Sequence, residues 1–536
     1  MKARLLSAAS VAAIATTVAC AATVAGHANA FLINHVLLIS IDGMHALDLA
    51  NCSVPNAQGR VLCPNLAQLA QTGYTYTQAS TSKPSDSFPG LTAIVTGATP
   101  KSTGAFYDVS YDRALSPPKK TTPYGIPGGN CPGTIGTQIG FDEEIDVDYT
   151  KLDAGGGINT DYLPRDPKNG CAVVYPHNFI RVNTLFEVVK KAGGYTAWSD
   201  KHQSYELVKG QSGTGVDDFF APEINSIPVA LPQVKGLQCS PLPDQTTVAS
   251  TNAWTDSFQN IRCYDRLKVE AVIHEIEGYD HTGATKTQVP TVLGMNFQAV
   301  SIGQKLVQKS INTTGGYKDS IGTPSDELAK EIQFVDTSIG DMVGKLKARN
   351  LFNATAIIIT AKHGQSPIDP QRVLRIPADD ATKNPPSNYV KTNQALEDDV
   401  SLLWLKDRSS NGVAKALAAL ETNATAIGAN GGEFYSGASL GLMFDTADSR
   451  TPDIVVAPNV GVVYTGGTKK IAEHGGFAHD DTNVLMIVSN PAYKATTINA
   501  MVETAQVAPT VLRILDLDPT QLIGVRNEGT RVLPGF

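Results

Sequence analysis

The 536-residue chain is short of charge, of histidine and of cysteine. Charged residues make up 18%, below the roughly one quarter usual for soluble domains. Basic residues are outnumbered, 43 Lys and Arg against 51 Asp and Glu, for a net charge of −8. The basic footprint that duplex nucleic acid requires is missing, which excludes a general nucleic-acid binder. Beyond residue 26 no apolar run is long enough to span a bilayer, so no transmembrane segment is expected in the body of the chain. No C-x-x-C pair occurs among the seven cysteines, which argues against a cysteine-rich metal module. No internal repeat of fixed period is visible. Gly and Pro, 47 and 31, exceed the average slightly, enough for many loops but not for a collagen-like or low-complexity chain.

What is present begins with an export signal. Lys2 and Arg4 precede the apolar, small-residue stretch Leu5–Gly26, and Ala28-Asn29-Ala30 is an A-x-A cleavage site. An uncleaved anchor fits less well, because the stretch is Ala- and Thr-rich and ends in that site. Cleavage after Ala30 makes the protein secreted or periplasmic. The mature chain keeps 41 basic and 51 acidic residues, a charge of −10, and six cysteines. An even count in an exported chain reads as three disulfides, for which sequential pairing is expected: Cys52–Cys63, Cys131–Cys171 and Cys239–Cys263.

Short apolar runs recur along the chain at His35–Ile41, Tyr195–Trp198, Val269–Ile276, Ala356–Thr360, Ser401–Leu405, Ile454–Val456 and Val484–Val488. Helical patterns lie between several of them, at Val182–Ala192, Asp326–Arg349, Gly412–Glu421 and Ile498–Leu515. Continuously apolar strands alternating with helices predict an α/β fold with a mainly parallel central sheet flanked by helices. Gly- and Pro-rich segments near 113–170, 203–262 and 365–450 read as long loop insertions. No linker divides the chain, so residues 31–536 are expected to form one catalytic domain.

Open parallel sheets do their chemistry beyond the carboxyl ends of the strands, so the residues after each run are the candidates. Asp42-Gly43 comes after the first run; alone, Asp42 is as well explained as a turn residue. Ser87-Phe-Pro89-Gly starts a helix that Gly97 ends, which places the Ser87 hydroxyl where free N–H groups attract anions. By itself that hydroxyl is better read as a helix cap. Glu277 and His281 come after the third run four residues apart, with Asp280 beside His281, a pattern suited to a metal. Lys362-His363-Gly364 comes after the fourth, and Glu473-His474-Gly475-Gly476 with His479 precedes the last. A lone His is more often structural, yet four of the ten cluster beside strand edges and glycines. Trp198-Ser-Asp200-Lys201-His202 is a further polar cluster, readable as site lining or as ordinary loop polarity.

These pieces, taken in order, resemble the alkaline phosphatase superfamily, and within it the type I phosphodiesterase/nucleotide pyrophosphatase branch. The matching segments are Ile41-Asp-Gly43, Ser85-x-Ser-Phe-Pro-Gly with Val95-Thr-Gly97, the acid-x-x-x-His of Glu277–His281, His363-Gly364 and His474-Gly-Gly476. The resemblance implies an alkaline phosphatase-like fold and a two-metal site, usually zinc, with one or two ions per chain. It implies that Glu277, His281 and His474 hold one ion, and that Asp42, His363 and the Ser87 oxygen hold the other. The implied chemistry is in-line displacement at phosphorus by Ser87, through a phosphoseryl intermediate. The implied substrate is a small phosphodiester or pyrophosphate, nucleotides among them. A phosphomonoesterase or phosphonate hydrolase on the same scaffold remains open, as does a non-catalytic binding protein that kept the fold.

The sequence departs from the pattern in three places. Lys362 stands where the branch has a metal-binding Asp, Glu277 replaces an Asp, and Asp108 stands where an Asn often contacts phosphate. The lost acid and the gained acid predict that Lys362 pairs with Asp108 or contacts the substrate, or else points away. Asp108, Asp280, Lys362 and His479 are therefore additional candidates for metal or substrate contact.

Overall fold

The computed structural model describes residues 32–536 except 57–58, 232–233, 235, 242–252, 378–381 and 465–467. The expected signal peptide, residues 1–30, lies outside the described residues. Eight strands form the central sheet: β1 (His35–Ile41), β2 (Gly73–Ser80), β3 (Ala197–Ser199), β4 (Asp218–Phe220), β5 (Val292–Phe297), β6 (Thr355–Thr360), and, late in the chain, Ile487–Ser489 and Thr496–Glu503. Across the sheet the order is Thr496–Glu503, β2, Ile487–Ser489, β6, β1, β5, β3, β4. Only Ile487–Ser489 runs antiparallel to its neighbours; the other pairs are parallel, so the sheet is mixed but mainly parallel. β1 sits at the centre with every residue from Val36 to Ile41 buried, as a strand covered on both faces must be.

The run Val269–Ile276 is not a strand. It lies inside α2 (Phe258–Glu277), which Ser257 caps at its start and Gly278 ends in the left-handed conformation. Val269, Val272, Ile273 and Ile276 recur at helical spacing and are all buried. The neighbour of β1 is instead β5, fully buried and absent from the expected strands. Ile498–Leu515 is likewise divided, its first part forming an edge strand and its second the helix Val507–Ile514. The helices expected near 182–192, 326–349 and 412–421 form at Leu185–Lys191, Asp326–Ala348 and Ser410–Thr422.

Ser401–Leu405 and Ile454–Ala457 belong to a separate four-stranded antiparallel sheet with Thr392–Glu397 and Glu433–Ser436. Their unbroken apolar character has the same cause as that of β1, cover on both faces, although this sheet is antiparallel. Leu402, Trp404 and Val455 pack with Phe106 and Tyr107, whereas Leu403, Leu405, Ile454 and Val456 pack with Leu420 on the other face. Cys52–Cys63, Cys131–Cys171 and Cys239–Cys263 are bonded as expected, with Cα separations of 5.2, 5.9 and 5.9 Å. No helix of the described residues is long and apolar enough to cross a membrane.

Candidate active site

Four adjacent parallel strands end on the same edge, and the residues that leave their carboxyl ends meet the start of α1 (Ser87–Thr96). β1 delivers Asp42, β6 delivers Lys362 and His363, β5 delivers Asn296 and Gln298, and β3 delivers Asp200, Lys201 and His202. Asp86 caps α1 by accepting from the Phe88 N–H at 2.9 Å, which frees Ser87 to point inward. The helix can come this close because residue 90 is glycine; a Cβ there would collide with the Lys362 carbonyl. Ser87, Asp42 and Lys362 are fully buried.

Three groups converge on the Ser87 hydroxyl. Asp42 Oδ2 lies 3.1 Å from it, the Lys201 ammonium 2.9 Å and His363 Nε2 3.1 Å. His363 Nδ1 lies 2.7 Å from the Gly364 carbonyl, which can only accept, so Nδ1 carries the proton and Nε2 offers its lone pair to Ser87. Burial pushes the His363 imidazole below its ordinary pKa despite the adjacent Asp42 carboxylate. His474 is shifted down further, by burial and then by His363 and Lys305; its ring centroid is 3.9 Å from that of His363. The ring is therefore neutral, and no hydrogen bond reaches its Nδ1.

Asp42 is the anchor of the site. Burial opposes its charge, but the Lys362 and then the Lys201 ammonium outweigh that and hold the carboxyl well below the usual carboxylate range. Asn296 Nδ2 and Gln298 Nε2 each donate to it at 2.7 Å. Lys362 bonds Asp200 at 2.8 Å, lies 3.8 Å from Asp42 and stacks 4.1 Å above the Tyr205 ring. Burial lowers its pKa below the ordinary lysine value, and the Asp200 and Asp42 carboxylates offset only part of that. On the opposite side Asp86 is pushed well up, by burial and then by the neighbouring Asp108, whose own carboxyl is also raised by burial. Two such acids share protons rather than both carrying full charge, so the region near α1 is less anionic than its composition suggests.

Of the residues singled out from sequence, Asp42, Ser87, Lys362, His363 and His474 come together, and Asp108 lies at their edge. Lys362 does not pair with Asp108; it turns to Asp200, which β3 brings within reach. Glu277 and His281 do not join the cluster. Glu277 ends α2 and pairs with Lys345. His281 Nδ1 bonds Asp218 Oδ1 at 2.5 Å, and its ring stacks on Phe220. Asp280 is held in an exposed turn by Thr282, Ala284 and Thr285. His479 begins a short helix and lines a surface groove with His45 and Asp480. Asn296 and Gln298 were missed, and Asp200 and Lys201 were noted only as possible lining, without a role at Ser87. The latter two belong to the polar cluster noted after the Tyr195–Trp198 run; the amides lie at and beyond the end of a strand that was not expected.

The residues around Ser87 do not fit a pair of zinc ions. β5 and the turn after it, residues 292–305, supply neither an acidic nor a histidine side chain beside Asp42. Amide donors already meet both Asp42 oxygens, and ammonium groups approach both Asp42 and Ser87. The two ammonium groups already supply the positive charge that Asp42 needs, and they repel further cations placed beside it. Among the described residues one group is spaced to hold a metal ion, and it lies elsewhere: Glu143, His202 and Glu223.

A serine at a helix start, set beyond the carboxyl edge of a mainly parallel sheet with imidazole and cationic partners, defines an α/β protein of the alkaline phosphatase class. The sequence model of the type I phosphodiesterase/nucleotide pyrophosphatase family matches residues 36–124 and 247–479, more than half of the chain, and the protein belongs to that family. The family is one of phosphodiester- and pyrophosphate-cleaving hydrolases. No curated protein sequence matches the chain. Among solved structures, murine ectonucleotide pyrophosphatase/phosphodiesterase 5 is similar with a TM-score of 0.52 at 13% identity, over 90% of this chain and 96% of that one. An inactive variant of the murine protein in complex with AMP gives 0.52 and 13%, over 92% and 99%. The human counterpart gives 0.51 and 13%, over 91% and 98%. At these identities the likeness is one of fold.

Proposed function

We propose that this protein is an exported hydrolase of phosphodiester or pyrophosphate bonds, nucleotides among its substrates, in which Ser87 attacks phosphorus. One observation carries the reading: a neutral His363, its tautomer set by the Gly364 carbonyl, presents Nε2 to the Ser87 hydroxyl at 3.1 Å. A base in that position accepts the hydroxyl proton as the oxygen attacks. Lys201, 2.9 Å from the same oxygen, stabilises the negative charge that develops there and on the phosphoryl oxygens. Lys362 contributes indirectly, by keeping Asp42 ionised. The P–O bond to the leaving group breaks as the Ser87–phosphorus bond forms; a phosphate leaving group departs as the anion, whereas the alcohol of a phosphodiester takes the proton held by His363, which then accepts one from the attacking water. Water then attacks the phosphoseryl group from the vacated face, the P–Oγ bond breaks, Ser87 recovers its proton from His363, and the water proton leaves with the product. Export is supported by three disulfides, which persist in oxidising compartments.

A second reading, a binding protein that kept the fold, is favoured by the complete burial of Ser87 beneath Lys201. Hydrolysis of bis-p-nitrophenyl phosphate against p-nitrophenyl phosphate separates the two. The proposal expects turnover, greater on the diester, that disappears in Ser87→Ala. Unchanged turnover in Ser87→Ala refutes the nucleophile, and phosphate-ester binding with no turnover by the wild type supports the second reading.

A further inference from the structure

We propose that Glu143, His202 and Glu223, with Asp146 behind them, form a site for one divalent first-row metal ion, separate from the residues around Ser87. The inference does not rest on the hydrolase reading, since it concerns a different set of side chains. One potential ligand atom from each of the three residues lies within 4.8 Å of the others. His202 Nδ1 is 2.9 Å from both oxygens of Glu223. His202 and Glu223 are buried, and Glu143 is half-buried, which leaves an approach for the ion and a water.

The second observation is Asp146. It is 1% exposed, no N–H reaches either of its oxygens, and its hydrogen-bond partner is the Glu223 carboxyl. It lies against Glu223, so two buried carboxyls face each other. Among the described residues no Lys or Arg forms an ion pair with Glu143, Asp146 or Glu223; the one such partner is His202, on Glu223. Lys201 lies close enough to favour the Glu223 charge, but its ammonium is engaged at Ser87. Glu223 otherwise accepts from the Asn225 N–H at 2.8 Å. Two buried carboxyls in contact cannot both stay ionised alone: they hold a proton between them, or a bound cation replaces it.

The donor set indicates the ion. One imidazole and two or three carboxylates form a mixed nitrogen and oxygen set, suited to manganese or zinc rather than to calcium, which prefers oxygen alone. Binding through Nδ1 would move the proton of the neutral His202 ring to Nε2 and would displace any proton held between Asp146 and Glu223, so uptake of the ion releases that carboxyl proton. The ion would tie together three segments distant in sequence: the turn carrying Glu143 and Asp146, the residue after Lys201, and the loop carrying Glu223. Lys201 is bonded in sequence to His202, so the ion is placed to steady the ammonium that touches Ser87. That makes the triad a positioning device.

The test uses the full mature protein, stripped with chelator and then titrated with Mn2+ and separately with Zn2+. Free Mn2+ is followed by electron paramagnetic resonance, bound metal by elemental analysis, and stability by thermal midpoint. The expected result is about one ion per chain, with a raised midpoint, and affinity at least about tenfold weaker in the isosteric variants Glu143→Gln and Glu223→Gln. His474→Ala, which alters the Ser87 cluster, is expected to bind the ion as the wild type does. Absence of bound metal in the folded wild type overturns the proposal. So does retention of metal in both glutamine variants with loss in His474→Ala, which would return the ion to the Ser87 residues. Circular dichroism of Glu143→Gln, whose side chain is half-buried, confirms that its loss of metal is not loss of fold.

Discussion

Replacing Lys362 by methionine removes a buried ammonium while roughly preserving its length. In the wild type that group bonds Asp200 at 2.8 Å, lies 3.8 Å from Asp42 and stacks on Tyr205 at 4.1 Å, with no exposure of any of the charged side chains involved. Its loss leaves two carboxylates in a low-dielectric setting. Removing one partner of a buried pair destabilises by about 3–5 kcal/mol, because the remaining charge stays uncompensated. Unfolding entropy of about 2.1 cal/mol/K per residue gives about 1 kcal/mol/K for a chain of some 500 residues, so the thermal midpoint should fall by about 3–5 °C. Asp200→Asn in the same background should recover part of the loss, because it removes one stranded charge. The assay is thermal denaturation of the four proteins of the double-mutant cycle, tracked by circular dichroism. A Lys362→Met midpoint within 1 °C of the wild type (on the order of 1 kcal/mol by the same scaling), or strict additivity with Asp200→Asn, would refute the role of Lys362 as the counter-ion that lets Asp42 stay ionised.

His363 has its pKa lowered by burial, so the acid limb of kcat/KM should lie below the ordinary imidazole value of about 6.5. A limb at or above that value in the pH profile contradicts its role as base, and His363→Ala should lower kcat/KM by about 10²–10⁴-fold. His363 and His474 also bear on stability: both bind protons more readily unfolded than folded. Their contribution is complete above about pH 6.5 and is lost as pH falls through that value. Urea denaturation at pH 7.5 and 5.5 should therefore show less stability at the lower pH for the wild type than for the His363→Ala/His474→Ala pair, and equal losses would count against this. Gly90→Ala should destabilise by about 1–3 kcal/mol, since the new Cβ meets the Lys362 backbone rather than a movable side chain; a wild-type thermal midpoint contradicts the packing described. Replacing Cys131 and Cys171 by serine opens a loop with a separation of 40 residues and should remove about 4 kcal/mol in the chain-entropy account. The thermal midpoint of the double variant, against oxidised wild type, measures it.

The features read correctly from sequence are those whose chemistry is local. β1 is continuously apolar and ends in Asp42-Gly43. Ser87 begins the helix that carries Pro89 in its first turn and that Gly97 closes, although its cap is Asp86 and not the Ser87 hydroxyl. Each disulfide joins cysteines that are neighbours in the cysteine order. The errors share a cause. Val269–Ile276 and β5 are both short and apolar, and such runs fit a strand or a buried helix equally well until packing chooses. Choosing the first as the strand placed Glu277 and His281 beside Asp42, where the fold places Asn296 and Gln298.

The sequence by itself determined the central strand, the nucleophile candidate on its helix start and the two His-Gly turns, because a dozen consecutive residues suffice to encode each, and their order along the chain determined the family. The tertiary structure alone decided which strand lies beside β1, that Lys362 turns to Asp200, and that Lys201 reaches Ser87 from 114 positions along the chain. Those are questions of sheet order and of charge balance in a buried space. They are settled by which groups can neutralise one another once water is excluded, and that depends on neighbours in three dimensions rather than along the chain.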